Sequence, residues 1–197
     1  MYTSGSTGRP KGVMIEHASV GNYVTWLIKK YNINKNNSTL LLSNIAFDLV
    51  LTSLFGSLLS GNTLHVINQD LLQFPTELSL YIVKNKIGFL KTTPSLLNHI
   101  ISEDSSFELL INAQTLKTIF VGGEKIDIDT VIKIKQNKGS INIINHYGPT
   151  ETTIGVATKE IKKVNVPIPI GHPIANTQIY ILGPDQGLVP VGVTGEI

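Results

Sequence analysis

The sequence predicts an α/β fold in which helices flank a largely parallel sheet, with antiparallel strands toward the C-terminus. Short apolar runs alternate with helical patterns along most of the chain, and this alternation favours parallel strand pairing. The last part of the chain has strand patterns without helices between them, which indicates antiparallel sheet or a small barrel. With 197 residues, 42% of them hydrophobic, the chain is one domain or a large piece of a bigger one.

The individual elements follow from the spacing of the apolar residues. Leu51, Leu54, Phe55, Leu58 and Leu59 recur at helical spacing and predict a helix that the Gly-Asn pair at 61–62 ends. Further helices are predicted at 75–86, 94–101 and 127–137. Strands are predicted at 40–44, 64–67, 88–92, 118–121 and 141–145, and in the antiparallel part at 152–158, 178–182 and 193–197.

Composition excludes several classes of function. The net charge is +2 and no basic stripe is interleaved with aromatics, so a nucleic-acid partner is not expected. The absence of cysteine excludes disulfides, a thiolate nucleophile and cysteine-type zinc sites. The apolar stretch 40–59 is interrupted by Asn44 and Asp48, so we interpret it as a buried strand and helix rather than a membrane span. Lacking a secretory signal as well, the chain is expected to be cytoplasmic.

Residues 2–12, Tyr-Thr-Ser-Gly-Ser-Thr-Gly-Arg-Pro-Lys-Gly, have the composition of a phosphate-binding loop. Glycines allow the backbone to approach a ligand, while backbone N–H groups, hydroxyls and a lysine bind anions. The Walker loop does not fit, because the position five residues after Gly5 is Pro10 rather than glycine. A flexible linker is the alternative, but it has no need of the Arg-Pro-Lys-Gly ending.

A second motif, Asn-His-Tyr-Gly-Pro-Thr-Glu at 145–151, makes the pattern specific. The two motifs together resemble the signatures of adenylate-forming enzymes, which include nonribosomal peptide synthetase adenylation domains, acyl- and aryl-CoA synthetases and firefly luciferase. Residues 46–48, 122–124 and 169–174 also resemble family positions, so the resemblance covers essentially the whole chain. It implies that residues 1–197 are the AMP-binding core of the large N-terminal domain, an internal fragment without the lysine-bearing C-terminal domain.

The resemblance assigns ATP-binding roles residue by residue. It implies that the β- and γ-phosphates are held by Thr3, Ser4, Gly5, Ser6, Thr7, Gly8 and Lys11. Thr150 would hydrogen-bond the α-phosphate and Glu151 would bind Mg²⁺, although a lone Glu151 would otherwise be interpreted as a solvated turn carboxylate. Tyr147 would stack on adenine, Asn145 would contact its amino group, and Gly123 would let the backbone pass close to the nucleotide. Lys11, Thr150 and Glu151 are the expected catalytic residues.

Alignment on the family anchors also implies an amino acid pocket. Its residues would be Asp48, Leu49, Thr52, Lys91, Phe120, Gly122, His146, Ile154 and Gly155. Asp48 would bind the substrate α-ammonium, although its place before a helical pattern also fits a helix N-cap. Lys91 and His146 are two potential cations, which suit a second, short carboxylate. Phe120 stands where a smaller residue is more usual. Aspartate is the expected substrate and asparagine the runner-up.

The expected function is ATP-dependent activation of an amino acid as aminoacyl-AMP with release of pyrophosphate. The resemblance further implies transfer to phosphopantetheine on a carrier domain. Two alternatives stay open. One is an acyl- or aryl-CoA synthetase, whose acid substrate carries no ammonium group, and the other is a nucleotide-binding fragment without turnover. The predicted strands support a site independently, because Lys91, the segment 122–124 and the segment 146–147 all fall at carboxyl ends of strands, where open α/β sheets bind ligands.

Overall fold

The computed structural model describes residues 1–3, 8–33, 37–138, 140–162 and 167–197. In chain order these residues form β1 (Tyr2–Thr3), β2 (Lys11–Gly12), α1 (His17–Tyr31), β3 (Thr39–Leu40), α2 (Leu51–Leu58), β4 (Leu64–His65), α3 (Pro75–Lys84), β5 (Phe89–Thr92), α4 (Pro94–Ile100), α5 (Asp104–Asn112), β6 (Thr118–Gly122), α6 (Ile128–Asn137), β7 (Asn142–Tyr147), β8 (Ala157–Glu160) and β9 (His172–Pro173). Short 3-10 turns lie at Asp48–Val50, Gln69–Gln73 and Thr150–Thr152.

The main sheet has five strands in the order β5-β6-β7-β8-β9. β5, β6 and β7 are parallel, whereas β8 and β9 are antiparallel to their neighbours. β3 and β4 form a separate parallel pair, and β1 and β2 an antiparallel hairpin. The predicted α/β class, with parallel strands followed by antiparallel ones, is therefore confirmed.

Helices cover both faces of the main sheet, as a parallel sheet that is buried on both sides requires. One face packs against α3, α4, α5 and α6 in a cluster that includes Leu78, Leu97, Leu110, Ile119, Val121, Ile134 and Ile143. The other face packs against α1 and α2 in a smaller cluster that includes Tyr23, Leu27, Phe55, Phe89, Phe120 and Ile144. The candidate site grows out of this smaller cluster.

Several predicted boundaries were wrong. The helices α1 and α5 were not predicted at all. The expected strand at 40–44 is only Thr39–Leu40, and residues 150–152 form a 3-10 turn, so the strand expected at 152–158 begins at Ala157. The strands expected at 178–182 and 193–197 are replaced by single antiparallel bridges from Leu182 to Leu188 and to Glu196.

Among the described residues, none of the helices has the length and apolar character that crossing a membrane requires.

Candidate active site

Strand register brings three of the predicted pocket residues onto one face of the sheet. Lys91 of β5 is paired with Phe120 of β6, and Gly122 of β6 is paired with His146 of β7. Since side chains alternate between the two faces of a strand, Lys91, Gly122 and His146 all point toward α1 and α2 at the carboxyl end of the sheet. Glycine is required at 122, because a Cβ there would lie 2.8 Å from Lys91 Nζ and would overlap the backbone of His146.

A buried chain of hydrogen bonds starts at Lys91. Its Nζ lies 2.9 Å from Nδ1 of His146, and Nε2 of the same ring lies 2.9 Å from the Tyr23 hydroxyl. The Tyr23 hydroxyl in turn lies 2.8 Å from Oγ1 of Thr52. Lys91 is 2% exposed and His146 is 3% exposed. Four side chains from β5, β7, α1 and α2 therefore form one polar network inside an apolar cluster, and each of its members has a partner.

Burial sets the protonation of this network. Desolvation lowers the pKa of Lys91 to about 7, and the nearby carboxylate of Asp48 partly opposes the shift. Desolvation, and then the charge of Lys91, hold the pKa of His146 well below its ordinary value. His146 is therefore neutral, and the expectation of two cations converging on the substrate was wrong. Both ring nitrogens of His146 already contact side chains, so Lys91 is the group of the two that remains available as a cation.

Asp48 begins the 3-10 turn Asp48–Val50, and its charge acts on Lys91. The residue at the N-cap position is Phe47, and no side-chain capping bond forms, so the N-cap interpretation of Asp48 was wrong. The Oδ2 atom of Asp48 is buried and has no hydrogen-bond partner. A buried carboxylate oxygen without a donor is costly, and a bound ammonium group would supply that donor.

The remaining predicted pocket residues surround this network at different depths. Leu49 packs close to Gly123, because a Cβ added to Gly123 would lie 3.2 Å from Leu49 Cδ1. Thr52 and Phe120 are 0% exposed, so in this structure they shape the pocket from behind and do not reach a ligand directly. The ring of Phe120 packs edge-on against His146, with the ring centroids 6.3 Å apart.

The turn that follows the second motif places Gly155 beneath the imidazole of His146. A Cβ at Gly155 would overlap the ring, so only glycine fits this position. The preceding residues Thr153 and Ile154 have φ angles of 67° and 70°, although both are β-branched. Such residues rarely adopt left-handed conformations, at a cost of about 1–3 kcal/mol each, and they concentrate at functional sites. The chain is strained where it passes the histidine.

A cavity of about 550 Å³ adjoins the pocket at the carboxyl end of β6 and β7. The predicted ATP-binding residues Gly123, Asn145 and Tyr147 line it, together with His146. Gly123 has a φ of 88°, a backbone conformation that favours glycine. Tyr147 is 37% exposed, so part of its side chain is accessible to a ligand. Asn145 donates its amide N–H to the carbonyl of Pro169 at 2.9 Å, which fixes the orientation of its side chain.

The acidic residues near this cavity have different environments. Glu124 accepts hydrogen bonds from the backbone N–H and the hydroxyl of Ser95, so it stabilises the start of α4 and is not a free ligand. Glu151 lies beside Thr150 in the exposed turn Thr150–Thr152, directly after the Tyr147-Gly148-Pro149 segment of the cavity wall. Its carboxylate forms no ion pair with any described residue.

These surroundings of Glu151 fit a Mg²⁺ ion. Mg²⁺ is commonly held by one or two carboxylates plus substrate phosphates. Within the described ranges no three His, Asp or Glu side chains converge as a ligand set, so protein groups alone do not form a metal cage there. A single carboxylate without an ion-pair partner, two residues after the cavity-lining Pro149, is compatible with an ion that phosphate groups also hold.

The predicted phosphate loop is described only at its two ends. Thr3 pairs with Lys11 in the β1–β2 hairpin, and Gly8 has a φ of 78°. Ser4, Gly5, Ser6 and Thr7 lie outside the described residues. Among the residues that are described, no hydrogen bond or ion pair joins Lys11 to Thr150 or Glu151.

Comparison with known proteins identifies the family. A family model described as AMP-binding enzyme matches residues 1–197, and the chain belongs to that family. It is 41% identical to surfactin synthase subunit 2 of Bacillus subtilis (strain 168) and 40% identical to bacitracin synthase 3 of Bacillus licheniformis. Both matches cover 100% of this chain, which spans only 6% and 3% of those proteins.

Solved structures agree. A four-domain nonribosomal peptide synthetase bound to AMP and glycine matches 99% of this chain and 14% of its own, with 31% identity and a TM-score of 0.83. The AMPPNP-bound form of the nonribosomal peptide synthetase FmoA3 matches 94% of this chain and 20% of its own, with 28% identity and a TM-score of 0.84. Within the AMP-binding enzymes, the chain therefore matches nonribosomal peptide synthetase adenylation domains.

Sequence reasoning missed Tyr23, the central residue of the polar network. It lies in α1, whose apolar residues Val20, Tyr23, Val24 and Leu27 have the helical spacing that would have revealed the helix. That spacing indicates a buried face, but nothing in it indicates that the hydroxyl of Tyr23 contacts His146, 123 positions further along the chain.

Proposed function

We propose that the chain is the core of an adenylation domain that activates an acidic amino acid, L-aspartate, as its acyl adenylate. The observation that carries the proposal is the buried, unpartnered Oδ2 of Asp48, whose charge acts on the buried Lys91. A carboxylate that lacks a donor suits the substrate ammonium. A lysine with spare donors suits a second carboxylate, and charge-assisted bonds of this kind are the strong ones. An acyl- or aryl-acid substrate would leave Asp48 unsatisfied.

The proposed reaction joins the amino acid to AMP. The substrate α-carboxylate attacks the α-phosphorus of ATP, a new carboxyl oxygen–phosphorus bond forms, and the bond to the β-phosphate oxygen breaks to release pyrophosphate. Asp48 and Lys91 would fix the amino acid at its ammonium and its side-chain carboxylate, while Tyr147 and Asn145 would hold the adenine. Holding both reactants in position supplies much of the catalysis in such a step.

Glu151 would hold the Mg²⁺ ion, which neutralises phosphate charge when bound. Thr150, in the same turn, would donate to the α-phosphate. Lys11 and the hydroxyls of residues 3–7 would hold the β- and γ-phosphates. The small share of its relatives that the chain covers supports a further part of the proposal: residues 1–197 belong to a longer domain, whose product passes to phosphopantetheine on a carrier domain.

Pyrophosphate exchange by the complete protein tests this function. Labelled pyrophosphate is incubated with ATP, Mg²⁺ and one amino acid at a time from a panel of aspartate, asparagine, glutamate, glycine and phenylalanine. We expect aspartate to give the largest kcat/KM. Equal exchange with all five, or a preference for phenylalanine, would contradict the pocket assignment. Exchange that depends on an acid without an ammonium group would favour an acyl-CoA synthetase instead.

As a second comparison, residues 1–197 alone are expected to give no exchange, because the proposed domain extends beyond them.

A further inference from the structure

We propose that Tyr23 is a positioning residue for substrate selection: through His146 it holds the ammonium of Lys91 in place for the second carboxylate of the amino acid. The inference rests on the proposed function and adds to it a residue from α1, outside every motif that the sequence displays. Tyr23 is 0% exposed, so it does not touch substrate and acts only through the network.

The donor and acceptor roles along the network follow from the charge on Lys91. An ammonium has only donors, so His146 Nδ1 must accept from it. The ring proton then sits on Nε2, which donates to the Tyr23 hydroxyl oxygen. The Tyr23 hydroxyl proton is left to donate to Thr52 Oγ1. Both ring nitrogens of His146 and the Tyr23 hydroxyl have partners in this arrangement, while the two remaining protons of the Lys91 ammonium are left for a substrate carboxylate.

A neutral Lys91 amine would permit the opposite arrangement. Nδ1–H of His146 would donate to the amine lone pair, the Tyr23 hydroxyl would donate to Nε2, and Thr52 would donate to Tyr23. The network thus has two polarities: an ammonium at Lys91 allows only the first, whereas the neutral amine, which has N–H donors and a lone pair, allows either. A substrate carboxylate selects the polarity in which Lys91 is the ammonium, and the Tyr23 hydroxyl is the group that serves either polarity, because it both donates and accepts.

Packing fixes Tyr23 in this position. Its ring lies edge-on to the His146 ring, with centroids 5.8 Å apart and an interplanar angle of 83°. The titratable groups around Lys91 come from three elements. Asp48 in the 3-10 turn acts on Lys91 as a charge, whereas His146 of β7 and the Tyr23 hydroxyl of α1 are neutral. Loss of that hydroxyl leaves Nε2 of His146 without this partner in either polarity. Because hydrogen bonds that include an ionised group are the stronger ones and polarise their neighbours, the polarity in which Lys91 is charged loses more.

The test compares Tyr23→Phe with Tyr31→Phe in the complete protein. Tyr31 lies in the same helix, packs edge-on against Phe120 and donates to Thr158, but it is outside the network. For Tyr23→Phe we expect the KM for aspartate to rise about tenfold, as for loss of one buried hydrogen bond, with kcat nearly unchanged. The ratio of kcat/KM for aspartate to kcat/KM for asparagine should fall. When this ratio is plotted against pH, its decrease at alkaline pH should begin at a lower pH than in the unaltered protein. Tyr31→Phe should leave that ratio and its pH profile as in the unaltered protein.

Thr52→Val provides a second variant at the far end of the network, with nearly the same side-chain shape. It should lower the aspartate-to-asparagine ratio in the same direction, and the double variant should be less than additive. If Tyr23→Phe does not yield folded protein, Thr52→Val decides alone. Equal losses for aspartate and asparagine, with an unchanged pH profile of the ratio, would overturn the inference while leaving amino acid activation intact. Absence of exchange with every amino acid in the unaltered protein would overturn the proposed function itself.

Discussion

Asp48 acts electrostatically on Lys91 in the candidate pocket, but the two described side chains form no ion pair. The carboxylate contributes to the electrostatics of Lys91, yet its Oδ2 atom has no hydrogen-bond partner. The ammonium instead contacts His146. Because the two groups do not pair with each other, both are left for an amino acid that carries its own ammonium and carboxylate. Direct contact would satisfy Asp48 but would leave no such place for the substrate.

The first prediction is that Asp48→Asn in the complete protein raises the KM for aspartate by a factor of about 30 to 1,000. The substitution removes the charged partner of the substrate ammonium, and losing such a partner costs about 2–4 kcal/mol. The amide removes the negative charge and keeps the shape of the side chain. Pyrophosphate exchange measures the effect. Asp127→Asn is the matched control: Asp127 accepts from the backbone of Asp129 at the start of α6, so its loss should affect stability and leave the KM unchanged. An unchanged KM in Asp48→Asn would remove Asp48 from the ammonium site.

The second prediction is that His146→Glu moves the preference from aspartate toward asparagine. A glutamate beside Lys91 Nζ would neutralise its charge and would offer an acceptor to a side-chain amide, while it would repel a carboxylate. The measurement is the ratio of kcat/KM for the two amino acids. His65→Glu serves as control, since His65 contacts Tyr81 away from the network. A variant that still prefers aspartate as strongly as the unaltered protein would show that position 146 does not face the substrate side chain.

The sequence predicted the location of the pocket better than its chemistry. Alternating strand and helix patterns placed Lys91, Gly122 and His146 at the carboxyl ends of three parallel strands, and the register brings them together. Their pairing follows from local patterns, since parallel strands joined by helices must align their ends. That part of the site could therefore be predicted without coordinates.

The charge states could not be predicted in the same way. The charge of His146 depends on its burial and on Lys91, which contacts its Nδ1. Both depend on contacts between residues far apart in the sequence, which local patterns do not reveal. The short strand at Thr39–Leu40 has a similar cause: pairing with β4 ends at the bond from the Leu41 N–H to the His65 carbonyl, and Leu42 is buried in the larger core cluster without a strand partner. Apolar character predicted a strand over 40–44, but it does not show how far strand pairing extends.

The third prediction concerns the turn beneath His146. Gly155→Ala should destabilise the complete protein by about 1–3 kcal/mol, because its Cβ would overlap the imidazole in a close-packed region. Gly21→Ala is the matched control. Gly21 lies within α1 and a Cβ there meets nothing within 4 Å, so alanine should be neutral or stabilising by about 0.5–1 kcal/mol. Denaturant unfolding measures both. Equal stability of the two variants would mean that the ring does not rest on Gly155.

The fourth prediction separates nucleotide binding from amino acid choice. Glu151→Ala should lower exchange with every activated amino acid by the same factor and should raise the Mg²⁺ concentration required for half-maximal rate, because Glu151 is the proposed ligand of the ion. Glu160→Ala, on the exposed end of β8, should change neither quantity. A loss confined to one amino acid would contradict the assignment of Glu151 to the nucleotide.

The fifth prediction is a pH dependence that comes from Lys91. Burial lowers its pKa in the folded protein to about 7, whereas in the unfolded chain it keeps the ordinary value of 10.5. Between these values the unfolded chain binds a proton that the folded protein has released, so this group makes the free energy of unfolding increase as the pH rises from about 7 to about 10. Below pH 7 the folded protein carries the full cost of the buried ammonium. Lys91→Met removes this cost, so its stability advantage over the unaltered protein should shrink as the pH rises through this window.

Binding of aspartate should depend on pH in the opposite direction. The substrate carboxylate needs the ammonium form, so kcat/KM for aspartate should fall as the pH rises above about 7, by up to about tenfold per pH unit while binding requires the lost proton. At each pH, kcat/KM for aspartate is divided by kcat/KM for asparagine. Both reactions use ATP and pyrophosphate, so the ratio is free of the titration of these two compounds. In Lys91→Met the ratio should be low and flat from pH 6 to 9. A ratio that stays constant in the unaltered protein over this range would show that Lys91 is not the partner of the second carboxylate, since no other described cation in the pocket has a pKa that would titrate there.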